Sequence, residues 1–268
     1  MTAPAGQQEA DGPNIARVYD YLLGGSHNFV PDRESAAELL ARWPDARETM
    51  IANRAFLGRA VRYLAGRAGI RQFLDVGSGI PTMDNVHAIA QQAAPDTRVV
   101  YVDVDEVAVL HSRAILAGND RAPAIQADLR SPQTILGHPG LHDQLDLSRP
   151  AALLLVAVLH FLPDSPDAPA ALVAQLRDAL APGSYLVLAH ATNESRPAVA
   201  QAAETVYNRS VATDIHMRSR ADILRFFDGF DLLDPGLVYI PQWRPDSPAD
   251  VPADPGKFWA LVGVARKP

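Results

Sequence analysis

Cysteine is absent from the 268-residue chain, so neither a disulfide framework nor a thiolate metal site is open to it. Lysine is nearly absent as well, Lys257 and Lys267 being the only two among 24 basic residues. The arginines that replace it are scattered along the chain, which reads as coding bias and solvated helix faces rather than an anion groove. A net charge of −7 without clustered Lys or Arg argues against nucleic acid as a partner. Long apolar runs are missing too. The longest, Ala151 to Leu159, is about half of the ~20 residues that span a bilayer, so it is read as a buried strand and no membrane partner is expected. The first thirteen residues are polar and acidic and lack the basic and apolar regions of a signal peptide. They are read as a disordered tail on a cytoplasmic protein. No internal repeat is present, and the one biased stretch is Pro241 to Gly256, with five prolines in sixteen residues.

At 48% hydrophobic and 21% charged residues the chain can bury one large core, and α/β domains of this length commonly remain single. From residue 72 onward strand signals alternate with helical ones, the pattern of a parallel sheet with crossover helices. Strands are expected at Phe73 to Val76, Val99 to Val102, Ala124 to Ala127, Ala151 to Val158 and Tyr185 to Ala189, followed by a final pair, Leu237 to Ile240 and Phe258 to Ala265. Helices are expected at Asp84 to Ala94, Glu106 to Ala117 and Ala168 to Leu180, each ended by Pro or Gly. Ahead of the sheet lie Arg33 to Arg42 and Arg47 to Ala65. In the second of these, Leu57, Val61 and Leu64 recur at helical spacing and should pack on the sheet.

The chemistry concentrates at three strand tips. Gln72-Phe-Leu-Asp-Val-Gly-Ser-Gly79 runs an apolar strand into a glycine turn, where a Cβ at Gly77 or Gly79 would take space that a ligand needs. Asp103 ends the next strand 24 positions after Gly79, and Asp128 ends another 25 residues later. An acid at the second tip can accept both hydroxyl protons of a ribose, which describes a mononucleotide half-site at the carboxyl edge of a parallel sheet. A dinucleotide fold is the competing reading, but its fingerprint needs a third glycine where Thr82 stands, and Pro81 departs from the pyrophosphate-cradling pattern.

This order of elements, continued by Ala-Val-Leu-His-Phe-Leu after the fourth strand and by a helix closing in Leu-Ala-Pro-Gly-Ser-Tyr-Leu-Val-Leu, resembles a class I S-adenosylmethionine-dependent methyltransferase. More narrowly, Asn14-Ile-Ala-Arg-Val-Tyr-Asp-Tyr-Leu-Leu-Gly-Gly-Ser-His-Asn28, Asn53-Arg-Ala-Phe-Leu57 and Trp243-Arg-Pro245 are similar to the S-adenosyl methyltransferase family long catalogued as a domain of unknown function. The resemblance spans about residues 14 to 266. It implies a Rossmann-like, seven-stranded, mostly parallel sheet with helices on both faces and an antiparallel last strand. It also implies one domain from residue 14 to 268, with an N-terminal helical lid over 14–68 and a helical insertion over 190–217 after the fifth strand.

The resemblance further implies S-adenosyl-L-methionine as cofactor and assigns residues to it. Asp75, Gly77, Ser78 and Gly79 match the turn that backs the methionine part and ribose. Asp103 matches the ribose acid, with Val104 covering one adenine face. Asp128 matches the acceptor for the adenine amino group, with Leu129 beneath. Val158 and His160 follow the fourth strand and would wall the cofactor pocket. These roles suit the chemistry, since the ribose diol and exocyclic amine donate and an ionised carboxylate only accepts. A helix or turn cap remains the competing reading for Asp128, and capping of the helix at Glu106 for Asp105.

Other candidates are weighed beside simpler readings. Tyr19, Tyr21, Gly24, Gly25, His27 and Asn28 suit a short helix, a glycine terminus and a loop acting as a lid, although a plain helix end explains the glycines equally well. Arg54 could pair with the methionine carboxylate or be a solvated surface residue. His160 is a candidate general base or a packing residue. His138 and His142 are four apart, but Pro139-Gly140 suggests a polar loop and no metal site is expected. His190, Tyr207 and Trp243 are assigned to the acceptor pocket, in the segments that leave the sheet at its carboxyl edge. The Asn or Asp followed by Pro-Pro-aromatic signature of base methylation is absent, Leu159-His-Phe-Leu-Pro163 standing in its place. The expected activity is therefore methyl transfer to a small molecule, the alternatives being a non-catalytic cofactor-binding module and, third, an NAD(P) oxidoreductase.

Overall fold

The computed structural model describes residues 12–81, 85–163, 169–195, 197, 204 and 214–268. Three helices come first: α1 (Ile15–Leu22), α2 (Val30–Arg42) and α3 (Ala46–Gly66). Asn14 caps α1 by accepting from the N–H groups of Ala16 and Arg17. The sheet then alternates with crossovers: β1 (Gln72–Val76), α4 (Val86–Ala93), β2 (Arg98–Asp103), α5 (Glu106–Ile115), β3 (Ala124–Gln126), α6 (Pro132–Leu136), α7 (Pro139–His142), β4 (Ala152–Val156), α8 (Pro169–Ala179) and β5 (Tyr185–Ala191). The chain closes with β6 (Asp231–Leu232), β7 (Val238–Tyr239) and β8 (Ala260–Arg266).

Eight strands take part, in the order β3-β2-β1-β4-β5-β8-β6, with β7 also on β8. The pairings among β1 to β5 are parallel, and β8 runs antiparallel to β5, β6 and β7. The seven strands expected from the sequence become eight because β8 meets two short partners: Asp231–Leu232 lies opposite Arg266 and Ala265, and Val238–Tyr239 opposite Val262 and Leu261. Two residues of Asp231–Leu232 carry too little apolar alternation to be read as a strand.

Alternation along the buried strands sorts the core into two layers. Phe73, Leu154 and Val262 face the side covered by Phe56, Leu57, Val61 and Leu64 of α3. Leu74, Leu153 and Leu155 face Val173 and Leu176 of α8. A third cluster joins Val18 and Leu22 of α1 to Leu39 of α2, Ala191 at the end of β5, and Ile215. The N-terminal helices are thereby seated over the carboxyl edge.

Most element positions agree with the sequence reading to within a few residues. The start of the helix after the glycine turn, at Thr82 to Asp84, lies outside the described residues, as do residues 1–11 of the tail and Val199, Ala203, Val206 and Tyr207 of the insertion. Pro139–His142 is a helical turn rather than a loop: a proline opens it and His138 Nδ1 accepts the Gly140 N–H at 3.0 Å.

Trp243 corrects a second expectation. It does not wall an acceptor pocket, because a short 3-10 turn, Ile240–Gln242, returns the chain beneath α3. There the ring is fully buried, edge-on to Phe56 at 5.5 Å and Tyr63 at 6.3 Å. Arg59 fixes the turn by donating from Nε to the Trp243 carbonyl at 2.9 Å and from Nη2 to the Ile240 carbonyl at 3.0 Å. Trp243→Ala is expected to lower unfolding stability by about 3–5 kcal/mol in urea titration, the range for deleting a large core aromatic. A loss under about 1 kcal/mol would contradict this packing.

Candidate active site

The tips of β1 and β2 meet at the carboxyl edge. Val102 O accepts the N–H groups of Gly77 at 2.8 Å and Ser78 at 3.1 Å. Gly77 and Gly79 have φ of 73° and 61°, a region that side chains other than glycine seldom occupy. The space argument shifts from a ligand to the protein itself. A Cβ on Gly77 would sit 2.2 Å from Val158 Cγ2, and one on Gly79 would face Ala16 of α1 at 3.7 Å. Asp103 locks this turn: Gly79 N–H donates to its Oδ2 at 2.8 Å and Asp105 N–H to its Oδ1 at 3.0 Å. Burial raises the Asp103 pKa while these amide bonds oppose the rise. Each oxygen has spent one lone pair on backbone, so the carboxylate can still accept two hydroxyls. Asp105 itself caps α5, accepting from the Val107 N–H at 3.0 Å.

On the α3 side of the turn, Asp75 is buried, and that burial pushes its carboxyl up to about 7. Arg54 pulls the value down and Asp103 raises it further. Arg54 is not a solvated surface residue. Its guanidinium lies 5.4 Å from the Tyr19 ring centroid, and its Nε is buried without a hydrogen-bond partner. Asn53 donates to the Tyr19 hydroxyl at 3.0 Å, which in turn donates to Met50 O at 3.3 Å, while Asn53 Oδ1 is buried and unpartnered. Buried polar atoms are almost always satisfied, so the open Arg54 donor, which acts on the Asp75 carboxyl, and the open Asn53 acceptor are candidate ligand contacts. Tyr101, opposite Asp75 in the sheet register, bonds the N–H and Nδ1 of His87, and its pKa is raised by burial.

On the other side, Val104 is 55% exposed and Leu129 is buried. Asp128 stands at the same edge but is engaged by Arg130, which donates to it from its backbone N–H at 2.8 Å and from Nε and Nη2 at 2.6 to 3.0 Å. That hydrogen bond lowers the Asp128 pKa. The turn-capping reading thus describes this acid.

The N-terminal segment is organised by two buried acids that sequence reasoning missed. Asp20 Oδ2 accepts from the His27 N–H at 2.8 Å and Asn28 Nδ2 at 2.9 Å. Asp32 accepts from the Asn14 N–H, the Phe29 N–H and Arg17 Nε, each at 2.8 Å. The available signal was Gly25, where a Cβ would lie 2.0 Å from Asp20 Oδ1. Asn28 therefore staples the loop. His27 reaches across to α5, its Nδ1 3.0 Å from Nδ1 of His111, whose pKa is lowered by burial first and by His27 next. Tyr21 packs into the third cluster with Arg47 over its ring at 6.0 Å.

His160 and His190 are structural here. His160 is buried, its Nδ1 faces the Ala191 N–H at 3.4 Å, and burial first, then the neighbouring His190 and Arg218, hold its pKa well below the usual value. It is poorly suited to act as a general base. His190 Nδ1 meets Ala191 O at 2.7 Å and its Nε2 meets Arg218 Nη1 at 2.8 Å. Both nitrogens are occupied, and burial pulls its pKa down to about 3. No face of His190 is left for an acceptor.

Helices on both faces of a mostly parallel sheet, with an antiparallel closing strand and a glycine turn beside an acidic strand tip, define the class I methyltransferase architecture. The S-adenosyl methyltransferase family profile matches residues 2–268, and the chain belongs to that family, whose methyl donor is S-adenosylmethionine. It is similar to a Thermobifida fusca YX protein that carries a provisional assignment as a methyltransferase. That crystal structure is 43% identical, with a TM-score of 0.90 over 97% of this chain and 96% of the other. A DUF574 family protein from Streptomyces avermitilis MA-4680 is 38% identical, with a TM-score of 0.91 over 97% and 99% of the two chains. The N-methyltransferase NodS of Bradyrhizobium japonicum WM9, in complex with S-adenosyl-L-homocysteine, shares the fold at 16% identity and a TM-score of 0.50, over 94% and 99%. No curated protein matches the chain. Among the described residues no helix is long and apolar enough to cross a membrane.

Asp75 yields a prediction with a definite sign. Its folded pKa of about 7 lies above the ordinary 3.8, so the folded protein binds the extra proton between those values. Its contribution to stability is full at low pH and is lost as pH rises through about 7. The buried histidines act in the opposite direction, so the comparison must be between variants. Without ligand, Asp75→Asn should gain on the native protein by up to about 1.4 kcal/mol per pH unit across that window. Parallel stability-against-pH curves from urea midpoints would refute the assignment.

Proposed function

We propose that this protein transfers the methyl group of S-adenosylmethionine to an oxygen or nitrogen of a small molecule. The observation that carries the reading is the pairing of open sites across one glycine turn. A buried Arg54 Nε lacks an acceptor on one side, and the Asp103 carboxylate stands beside an exposed Val104 on the other. The first suits the methionine carboxylate and the second a ribose with adenine lying against Val104. Asp128 takes the adenine amine alongside Arg130, Leu129 supports that ring, and Val158 closes the pocket behind Gly77. Asp75, near neutrality when alone, favours its ionised form once an ammonium lies close.

The bound cofactor supplies an already activated methyl on a sulfonium. The protein's own work is alignment and exclusion of water: Asp103 and the turn fix the nucleoside, Arg54 fixes the amino-acid end, and α1, seated on Gly79, covers the edge as a lid. No general base is assigned, because His160 is turned into the core. The acidic balance of the chain favours a small acceptor over nucleic acid.

Calorimetry with S-adenosylmethionine should show binding that Asp103→Ala weakens by about 1.5–3 kcal/mol, the range for hydrogen bonds to a charged group. A screen of metabolite extracts with labelled methyl donor should yield labelled product. Binding without product from any extract would favour the non-catalytic module, and binding of NAD in place of S-adenosylmethionine would end the reading.

A further inference from the structure

The arginines that are scattered along the sequence do not stay scattered in the fold. Arg59, Arg62 and Arg67 lie on the last two turns and C-cap of α3, and Arg244 reaches them from the loop after β7. Together with Tyr63, Trp243 and Asp246 they line a hollow of about 400 Å3. None of these lining residues belongs to the candidate active site, and Arg67 lies about 20 Å along the helix from Arg54, at 1.5 Å per residue.

The hydrogen bonds these guanidinium groups make leave most of their donors open. Arg59 uses Nε and Nη2 on the carbonyls beneath it. Arg62 uses Nη2 alone, on the two Asp246 oxygens at 3.3 and 3.2 Å. Arg244 uses Nε, on Asp234 O at 3.1 Å. Arg67 is exposed, and among the described residues its guanidinium makes no hydrogen bond or ion pair. Against these four positive charges the lining offers one carboxylate, Asp246, whose side chain is 76% exposed. Asp250 acts on Arg59 from further off. Four cations around one acid are out of balance in a chain of net charge −7.

Arg244 is also held in place with unusual firmness. Its φ of 44° is left-handed for a non-glycine residue, a strained conformation that persists only when the surroundings determine it. Its guanidinium carbon lies 4.0 Å from the Tyr63 ring centroid and 5.1 Å from that of Trp243. The stacking fixes the plane of the fork and leaves its two terminal nitrogens to donate.

We propose that this hollow binds a small anion carrying two linked phosphate groups, held by Arg244 and Arg59 on one side and Arg62 and Arg67 on the other. Planar forks match phosphate oxygens two at a time, and forks from two elements suit a diphosphate better than a single phosphate. This site does not depend on methyl transfer.

Inorganic pyrophosphate is the probe, titrated by calorimetry at low ionic strength into the full-length protein, with inorganic phosphate and sulfate in parallel. Pyrophosphate should bind with saturable stoichiometry of about one per chain and at least about tenfold more tightly than either control. Arg67→Ala, which breaks no hydrogen bond or ion pair among the described residues, should weaken it about tenfold, the double variant Arg62→Ala with Arg67→Ala more, and Arg67→Lys less. Affinity for S-adenosylmethionine should be unchanged in all three variants. The proposal is overturned if pyrophosphate fails to bind at millimolar concentration, if the two controls bind equally well, or if the alanine variants bind it as the native protein does.

Discussion

The Asp103 carboxylate is the constraint around which the candidate active site is arranged. One oxygen holds the Gly79 amide and the other the Asp105 amide, so a single side chain joins the turn after β1 to the start of α5. Because β1 and β2 are parallel neighbours, both tips emerge at one edge and the bond is short. Removing the carboxylate would release a turn whose two glycines already hold left-handed backbone, and it would leave two amides to find other partners. α1 rests on that turn through Ala16, so the N-terminal helices also depend on it indirectly.

The sheet was readable where burial on both faces makes strands uniformly apolar, as in Phe73 to Val76 and Ala152 to Val156. The order of Gly, Asp and Asp at successive tips likewise shows that all three emerge at one edge, since their strands are parallel neighbours. What escaped were features created by contacts between distant segments. Trp243 looked like a loop aromatic because nothing local shows that Arg59, far upstream, folds its carbonyl under α3. His190 ended an apolar strand as an active-site residue might, yet Arg218 occupies its outer nitrogen. Asp20 and Asp32 were passed over as ordinary acids on helices, since burial of a carboxylate is not written in its neighbours.

Those two acids change how the N-terminal segment is understood. The buried carboxylates draw the segment's donors inward: Asn28 and the His27 amide serve Asp20, and Arg17 with two backbone amides serves Asp32. The segment is a polar knot seated on an apolar cluster. Its exposed members, Phe29 and Val30, are left facing outward at the rim. A segment built this way is held as a unit, because breaking one bond strands a buried carboxylate that the others still hold.

The divided partner of β8 bears on how the protein behaves when concentrated. One margin of the sheet ends in β6 and β7, two residues each, and the other in β3, three residues long. Adding a foreign strand requires a continuous row of unpaired amides and carbonyls. Neither margin offers one of useful length, and Asp231 and Gln126 place polar side chains on the short pieces that remain. A sheet with a strongly apolar interior thereby keeps its hydrogen-bonding capacity closed to neighbouring molecules, and β8, the last strand of the chain, is covered on both sides.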